Sequence, residues 1–273
     1  MDTAANRESY AAGVERLAAF ATDAAPAAIV TAADELLAIA DLQRREPRLR
    51  RALADTARSA GGRAELLRSI LAGKVSDQTL AIAAALVEGR WSSPVELLNA
   101  TERLGVDAVL TAADRAGELG DVEDELFRFG QIVGADHRLA AALGDSTADV
   151  ARRQELAESL LAGKTRAATL RLVRLALTGF GGRRFDASLA RLVEEAAAKR
   201  ELSIAYVTSA IVLSDEEERR LATSLAAIYG REVSLLVDVD PRIIGGMRVK
   251  IGSDLYDGTV ARRLAEARTA IAK

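Results

Sequence analysis

A block of this sequence returns ninety residues further along the chain. Asp34-Glu35-Leu36 recurs as Asp124-Glu125-Leu126, Arg48-Leu49 as Arg138-Leu139, and Leu53 and Asp55 as Leu143 and Asp145. Further on, Glu65-Leu66 matches Glu155-Leu156, Leu71-Ala72-Gly73-Lys74 matches Leu161-Ala162-Gly163-Lys164, Thr79-Leu80 matches Thr169-Leu170, and Gly89 matches Gly179. Residues 34–89 and 124–179 share 19 identities in 56 positions without a gap. Compositional bias would scatter such matches among Ala and Leu, whereas here Asp, Glu, Arg, Lys, Gly, Ser and Thr match in register. The block is a duplication. Its period exceeds the ~34 to 47 residues of a helix-pair solenoid repeat, so each copy is a small domain of several helices.

Ala, Leu, Arg and Glu dominate up to about residue 200, with aromatics at 4% and only four prolines, which is helix-forming composition. In the second copy Leu126, Phe129, Ile132 and Val133 fall on one helical face. Leu156, Leu160 and Leu161 lead to Gly163, Leu170, Val173, Leu175 and Leu177 lead to Gly179, and Leu189, Leu192 and Val193 form a last face. Five or six helices per copy follow, packed as a bundle whose leftover apolar surface is a groove for a partner helix. After residue 201 the period changes. Ile204 to Leu213 is a β-branched run suited to a strand, Ser214-Asp215-Glu216-Glu217 is a capping box that starts a helix, and Leu221, Leu225, Ile228 and Tyr229 give that helix its apolar face before Gly230. Val233, Leu235, Val237 and Val239 alternate as a second strand and Met247, Val249 and Ile251 as a third, with Gly245-Gly246 turning between them. Val260, Leu264, Ala267 and Ile271 share a face of a last helix. The expected architecture is mainly α: two tandem small helical bundles, residues 1–105 and 106–200, then a small α+β domain over 201–273.

With 49% hydrophobic and 28% charged residues the chain has the apolar content of a folded protein. Zero cysteines exclude a disulfide framework, a thiol nucleophile and any thiolate-held metal centre, and fit a reducing, cytoplasmic setting. The longest uncharged stretch, Leu202 to Ser214, falls short of the ~18 residues a membrane-spanning helix needs. The first residues lack the layout of a signal peptide, so the mature protein is expected to be the whole chain. A net charge of −3 argues against nucleic acid, whose binding rests on clustered cations.

No motif carries catalysis. Gly163-Lys164-Thr165 ends like a phosphate-binding loop, but Glu158 stands where that loop needs glycine and a helix precedes it where a strand is required. His137, the one histidine, takes the place of Pro47 in the first copy and reads as a loop residue. The acidic runs Glu123-Asp124-Glu125 and Glu216-Glu217-Glu218 point in different directions around a helix and do not converge on a metal. Asp238 and Asp240, sharing one face at the end of a strand and followed by Pro241, read as turn initiation, and Asp254 and Asp257-Gly258-Thr259 as a turn and helix entry. Trp91 reads as a core anchor. No cofactor and no metal are expected, and the residues point to a binding protein.

The C-terminal stretch resembles the delta subunit of the F-type ATP synthase, the counterpart of the mitochondrial oligomycin-sensitivity-conferring protein. The resemblance is carried by Val207-Thr208-Ser209-Ala210, Leu213-Ser214-Asp215-Glu216, Val237-Asp238-Val239-Asp240-Pro241, Gly245-Gly246-Met247-Arg248-Val249 and Asp257-Gly258-Thr259-Val260-Ala261-Arg262-Arg263-Leu264, in order over about 65 residues. Gly117, Leu119, Asp121-Val122 and Glu125-Leu126 extend it to the second helical copy, so that it covers roughly residues 106 to 273. Family members usually carry one helical domain. Residues 1 to about 105 are therefore an extra copy, or an insertion after the first helix if Tyr10-Ala11 belongs to that helix.

The resemblance implies a stator role at the cytoplasmic face of the cell membrane. The helical domain holds N-terminal segments of the alpha subunits and the tail binds the far end of the b subunit. On that basis the alpha segment is expected along Leu170, Val173, Leu175 and Leu177, and b on Leu221, Leu225, Ile228, Val260 and Leu264, some of these belonging to the core. The alternatives are a stand-alone helical adaptor for some other amphipathic segment and, more remotely, an enzyme.

Overall fold

The computed structural model describes residues 3–202, 204–229, 233–252, 254–260 and 262. The chain divides after Ala196 into two compact units, a helical one and an α+β one. The helical unit runs α1 (Ala4–Asp23), α2 (Pro26–Arg45), α3 (Pro47–Leu53), α4 (Ala60–Leu71), α5 (Asp77–Glu88), α6 (Pro94–Arg115), α7 (Leu119–Ala135), α8 (His137–Gly144), α9 (Val150–Leu161), α10 (Ala167–Thr178), a 3-10 turn at Phe180–Gly182, and α11 (Phe185–Leu202).

The duplication is visible in space. The helices α4 and α9 begin and end ninety residues apart, and so do α5 and α10. Leu36 and Leu126, Leu53 and Leu143, Ile82 and Leu172, and Thr79 and Thr169 are buried pairs. Gly73 and Gly163, both at positive φ (72° and 70°), end α4 and α9 in the left-handed conformation that favours glycine. His137 opens α8 as Pro47 opens α3, so it is a first-turn helical residue and not the loop residue its sequence suggests. Trp91 is a core anchor as expected, and its indole nitrogen donates to the carbonyl of Leu86 at 2.8 Å.

The expected division at residue 105 falls inside α6, a continuous helix buried on nearly every side, from Leu97 and Ala100 through Glu102, Leu104 and Val106 to Ala112 and Ala113. It packs against α1, α2, α3 and α5 of the first copy and against α7 and α10 of the second. Begun ninety residues after α1, α6 closes one copy and opens the next, and a single apolar core runs from Leu17 to Ala196.

The repeated Asp-Glu-Leu has a job in both copies. Glu35 on α2 accepts hydrogen bonds from the amide of Ser76 (3.0 Å) and its hydroxyl (2.6 Å), and so ties down the first turn of α5. Glu125 on α7 does the same for α10, accepting from the amide of Arg166 (2.9 Å) and the hydroxyl of Thr169 (2.5 Å). A carboxylate satisfies free amides and complements the helix dipole there. Partial burial pushes the Glu35 carboxyl up, but its bonds from Ser76 and Thr79 outweigh that and hold it below its ordinary 4.5.

The repeated arginines differ. Arg63 is buried and donates to the carbonyls of Val87 (2.9 Å), Arg58 (2.7 Å), Glu88 (2.9 Å) and Gly89 (2.9 Å) as well as Asp55 (3.3 Å). Arg153, also buried, donates to Leu143 at 3.2 Å while its Nε has no partner.

The α+β unit holds β1 (Ile204–Ser209), α12 (Asp215–Tyr229), β2 (Ser234–Val239), β3 (Met247–Ile251) and β4 (Asp254–Asp257). The sheet order is β2-β1-β3-β4, with β1 parallel to β2 and the other pairs antiparallel. Ser214 and Glu217 form the expected capping box, the Ser214 amide donating to Glu217 at 2.9 Å. Beneath α12, Ala205, Val207, Val249 and Ile251 pack with Leu213 and Leu225. The strand β4 corrects the reading of Asp254 as part of a turn: two apolar residues in four carry too little alternation to announce a strand. Gly230, Leu264, Ala267 and Ile271 lie outside the described residues.

Two outcomes follow for stability. Arg63→Leu strands the buried carbonyl of Val87 and four part-buried ones and is expected to cost about 3 kcal/mol, with Arg153→Leu costing distinctly less; equal losses in urea unfolding of the full chain would contradict this. Glu35, held low when folded, contributes stability that is present above the ordinary carboxylate range and lost as pH falls through its folded value. Glu35→Gln is therefore less stable than the parent at neutral pH, with a gap that closes on acidification. A gap that widens as pH falls would show that the carboxylate is not the stabilising form.

Candidate partner-binding surfaces

Of the residues expected to face an alpha segment, Val173, Leu175 and Leu177 are buried and Leu170 is half-buried against the same core. Periodicity marked them as one apolar stripe, and α10 uses that stripe mainly for the bundle. Leu175 alone of the three buried residues also edges a cavity of about 520 Å³, which Leu37 of α2 and Val150 of α9 line as well.

The stripe is covered by α6, α7 and α9, against which α10 packs, and α2 reaches its edge across the cavity. Asp34 on α2 takes a two-pronged bond from Arg171 on α10 (2.6 and 3.0 Å). Gln43 donates to Thr101 on α6 at 3.1 Å, and Arg44 donates to the buried Glu102 at 2.5 Å. The second carboxylate oxygen of Glu102 accepts the amide of Gly181 at 2.7 Å. Gly105 lets Leu37 settle on α6, since a Cβ there would stand 2.6 Å from Leu37 Cδ2. A helix of the first copy thus spans α6 and α10 of the second.

The corresponding pair in the first copy, α1 and α5, leaves an open groove. It is lined by Ala5, Ser9 and Ala12 of α1 with Ala85 of α5 and Gly89 just beyond it, and Glu8, Glu15, Arg16, Glu88 and Arg90 stand at its rim. Ala85 and Glu88 are the ninety-residue counterparts of Leu175 and Thr178. The floor is fixed by Ser9, whose hydroxyl accepts the Arg90 amide (2.8 Å) and donates to the Arg90 carbonyl (3.0 Å). On the other side of α1, Tyr10 donates to Asp107 of α6 at 2.8 Å under the guanidinium of Arg103, and burial pushes its phenol well above the ordinary tyrosine range.

In the α+β unit Leu225 is buried and Leu221 half-buried, while Ile228 is 63% and Val260 37% exposed; Leu264 lies outside the described residues. The residues that the sequence reading missed are on the sheet face away from α12, where Tyr206, Leu236 and Leu255 are exposed. Their signal was present: an alternating strand has two faces, and Leu236 between Leu235 and Val237 is apolar on the face where water was expected.

Comparison with known proteins decides the family. The sequence profile described as "ATP synthase delta (OSCP) subunit" matches residues 106–271. The chain belongs to that family. It is 58% identical to the ATP synthase subunit delta of Salinispora arenicola over all 273 residues and the whole of that protein, and 45% identical to that of Streptomyces avermitilis over 268 residues, 98% of each chain. A relative in Kineococcus radiotolerans is 42% identical over 239 residues, 88% of this chain and 87% of its own. The chain is accordingly an F-type ATP synthase subunit. The family profile begins at residue 106 whereas the Salinispora protein matches from end to end, so the first copy is shared with that relative. No helix among the described residues is long and apolar enough to cross a membrane.

The seat of α2 on α6 is testable. Gly105→Ala is expected to destabilise the helical unit by about 1 to 3 kcal/mol through overpacking against Leu37. Gly120→Ala, where nothing lies within 4 Å of the added methyl, is expected to be neutral or stabilising. Thermal unfolding of the two variants in the reverse order would contradict the packing described.

Proposed function

We propose that the chain is a non-catalytic stator subunit, which joins the catalytic head of the synthase to the b subunit of the peripheral stalk and resists rotor torque at the cytoplasmic face of the cell membrane. Family membership supports the assembly. The observation that supports the joining role is the division of one chain into two compact units of different architecture, one with an open groove and the other with exposed apolar residues on its sheet. Two sites on one chain make the second attachment intramolecular and raise the combined grip far above either alone. Neither surface gathers a nucleophile, a base and an oxyanion donor, and the reading needs no chemistry from this subunit.

The helical unit takes N-terminal segments of the alpha subunits as amphipathic helices laid in a groove. The groove between α1 and α5 is the better candidate, because the equivalent positions beside α10 are faced by α2; the cavity edged by Leu175, with Leu170 nearby, is the second. The tail takes the b subunit. A stand-alone adaptor gripping some unrelated helix is the competing reading.

Copurification separates the two. Gentle affinity isolation of the full chain is expected to retain the alpha and b subunits, and their absence would favour the adaptor. Within the stator reading, Ala12→Arg and Ala85→Glu fill the open groove from either wall. Each is expected to weaken binding of a peptide copying the alpha N-terminus by about tenfold, with helicity unchanged. Unchanged affinity in both, with loss in Leu170→Ala, would move the site to the second copy.

A further inference from the structure

Among the described residues the four-stranded sheet is covered by α12 on one face only. A sheet with one wet face normally alternates apolar residues inward and polar residues outward. Here the register sets Leu236, Tyr206, Lys250 and Leu255 side by side across β2, β1, β3 and β4, on the face away from α12. The three apolar members are 59%, 44% and 55% exposed, in that order of Leu236, Tyr206 and Leu255. In the adjoining row Arg248 pairs with Asp257 at 3.5 Å, so its charge is answered within the sheet. Lys250 has no acidic partner among the described residues, although it stands between an exposed tyrosine and an exposed leucine.

Strand spacing makes this row about 14 Å long, the rise of roughly ten helical residues. An unanswered cation inside an apolar row selects its occupant by charge as well as shape. We propose that this open sheet face is the docking surface for an amphipathic helix that presents a carboxylate to Lys250 between apolar residues seated on Leu236, Tyr206 and Leu255. Resting on the stator reading, the helix is the far end of the b subunit. The assignment moves that contact from the α12 face, where Leu225 is already buried, to the opposite side of the sheet.

The test titrates the full chain with the soluble portion of the b subunit, at low and high salt. Leu236→Ala and Lys250→Glu alter exposed side chains, and circular dichroism verifies that both variants stay folded. Each is expected to weaken binding by about tenfold, and Lys250→Glu also reverses the salt dependence, because salt then relieves a like-charge repulsion, while Ile228→Ala on the α12 side leaves affinity unchanged. Affinities of both sheet variants within about twofold of the parent overturn the proposal. Loss in Ile228→Ala instead overturns it and leaves the stator reading standing, whereas failure of the parent chain to bind b at all removes both. A Tyr206 that resists chemical modification until residues 263–273 are removed assigns the face to the chain's own tail and also overturns it.

Discussion

Everything in the helical unit depends on burying α6. A 22-residue helix with apolar or small residues on nearly all sides has no stable solvent-facing arrangement. It needs helices around its whole circumference, and neither copy of the repeat supplies enough by itself. The first copy covers it with α1, α2, α3 and α5 and the second with α7 and α10, so sharing α6 is what makes two domains into one. Three of its polar groups are satisfied across the seam: Thr101 by Gln43, Glu102 by Arg44 and the Gly181 amide, Asp107 by Tyr10. Leaving such groups unpaired in the interior is costly, which fixes the register of the copies as well as their contact.

That arrangement suits the load-bearing role proposed above. A hinge between two bundles would yield under torque, whereas a continuous helix packed from both sides has no flexible joint at the seam. The same fusion changes what the second copy offers. With α10 packed on α6, α7 and α9 and α2 facing its edge, the Leu-rich face of α10 is mainly an internal contact, and the open counterpart is the groove of small residues between α1 and α5. Duplication followed by sharing thus leaves two equivalent positions with different fates.

Much of this was legible in the sequence. The ninety-residue offset is plain identity, and the glycine helix ends, the Ser214 capping box, the β-branched first strand and the two alternating strands express local chemistry that a short window contains. The Glu35 and Glu125 matches were legible as identity, though their task as remote caps required the fold. What was not legible depends on contacts between distant segments. An amphipathic stripe such as Leu170 to Leu177 reports that a face is covered without saying by what, and α6 matches α1 too weakly to announce that one helix serves twice. On the sheet, Tyr206 falls within the run expected to form the first strand and Leu236 between the alternating residues of the second, and their position opposite α12 emerges only from the pairing register.

The proposed stator role is tested most directly at the membrane. Vesicles from cells lacking this chain are expected to release the catalytic head on washing and to lose proton-driven ATP synthesis, with both restored when the purified full chain is added back. A head that stays bound and coupled in its absence would contradict the account.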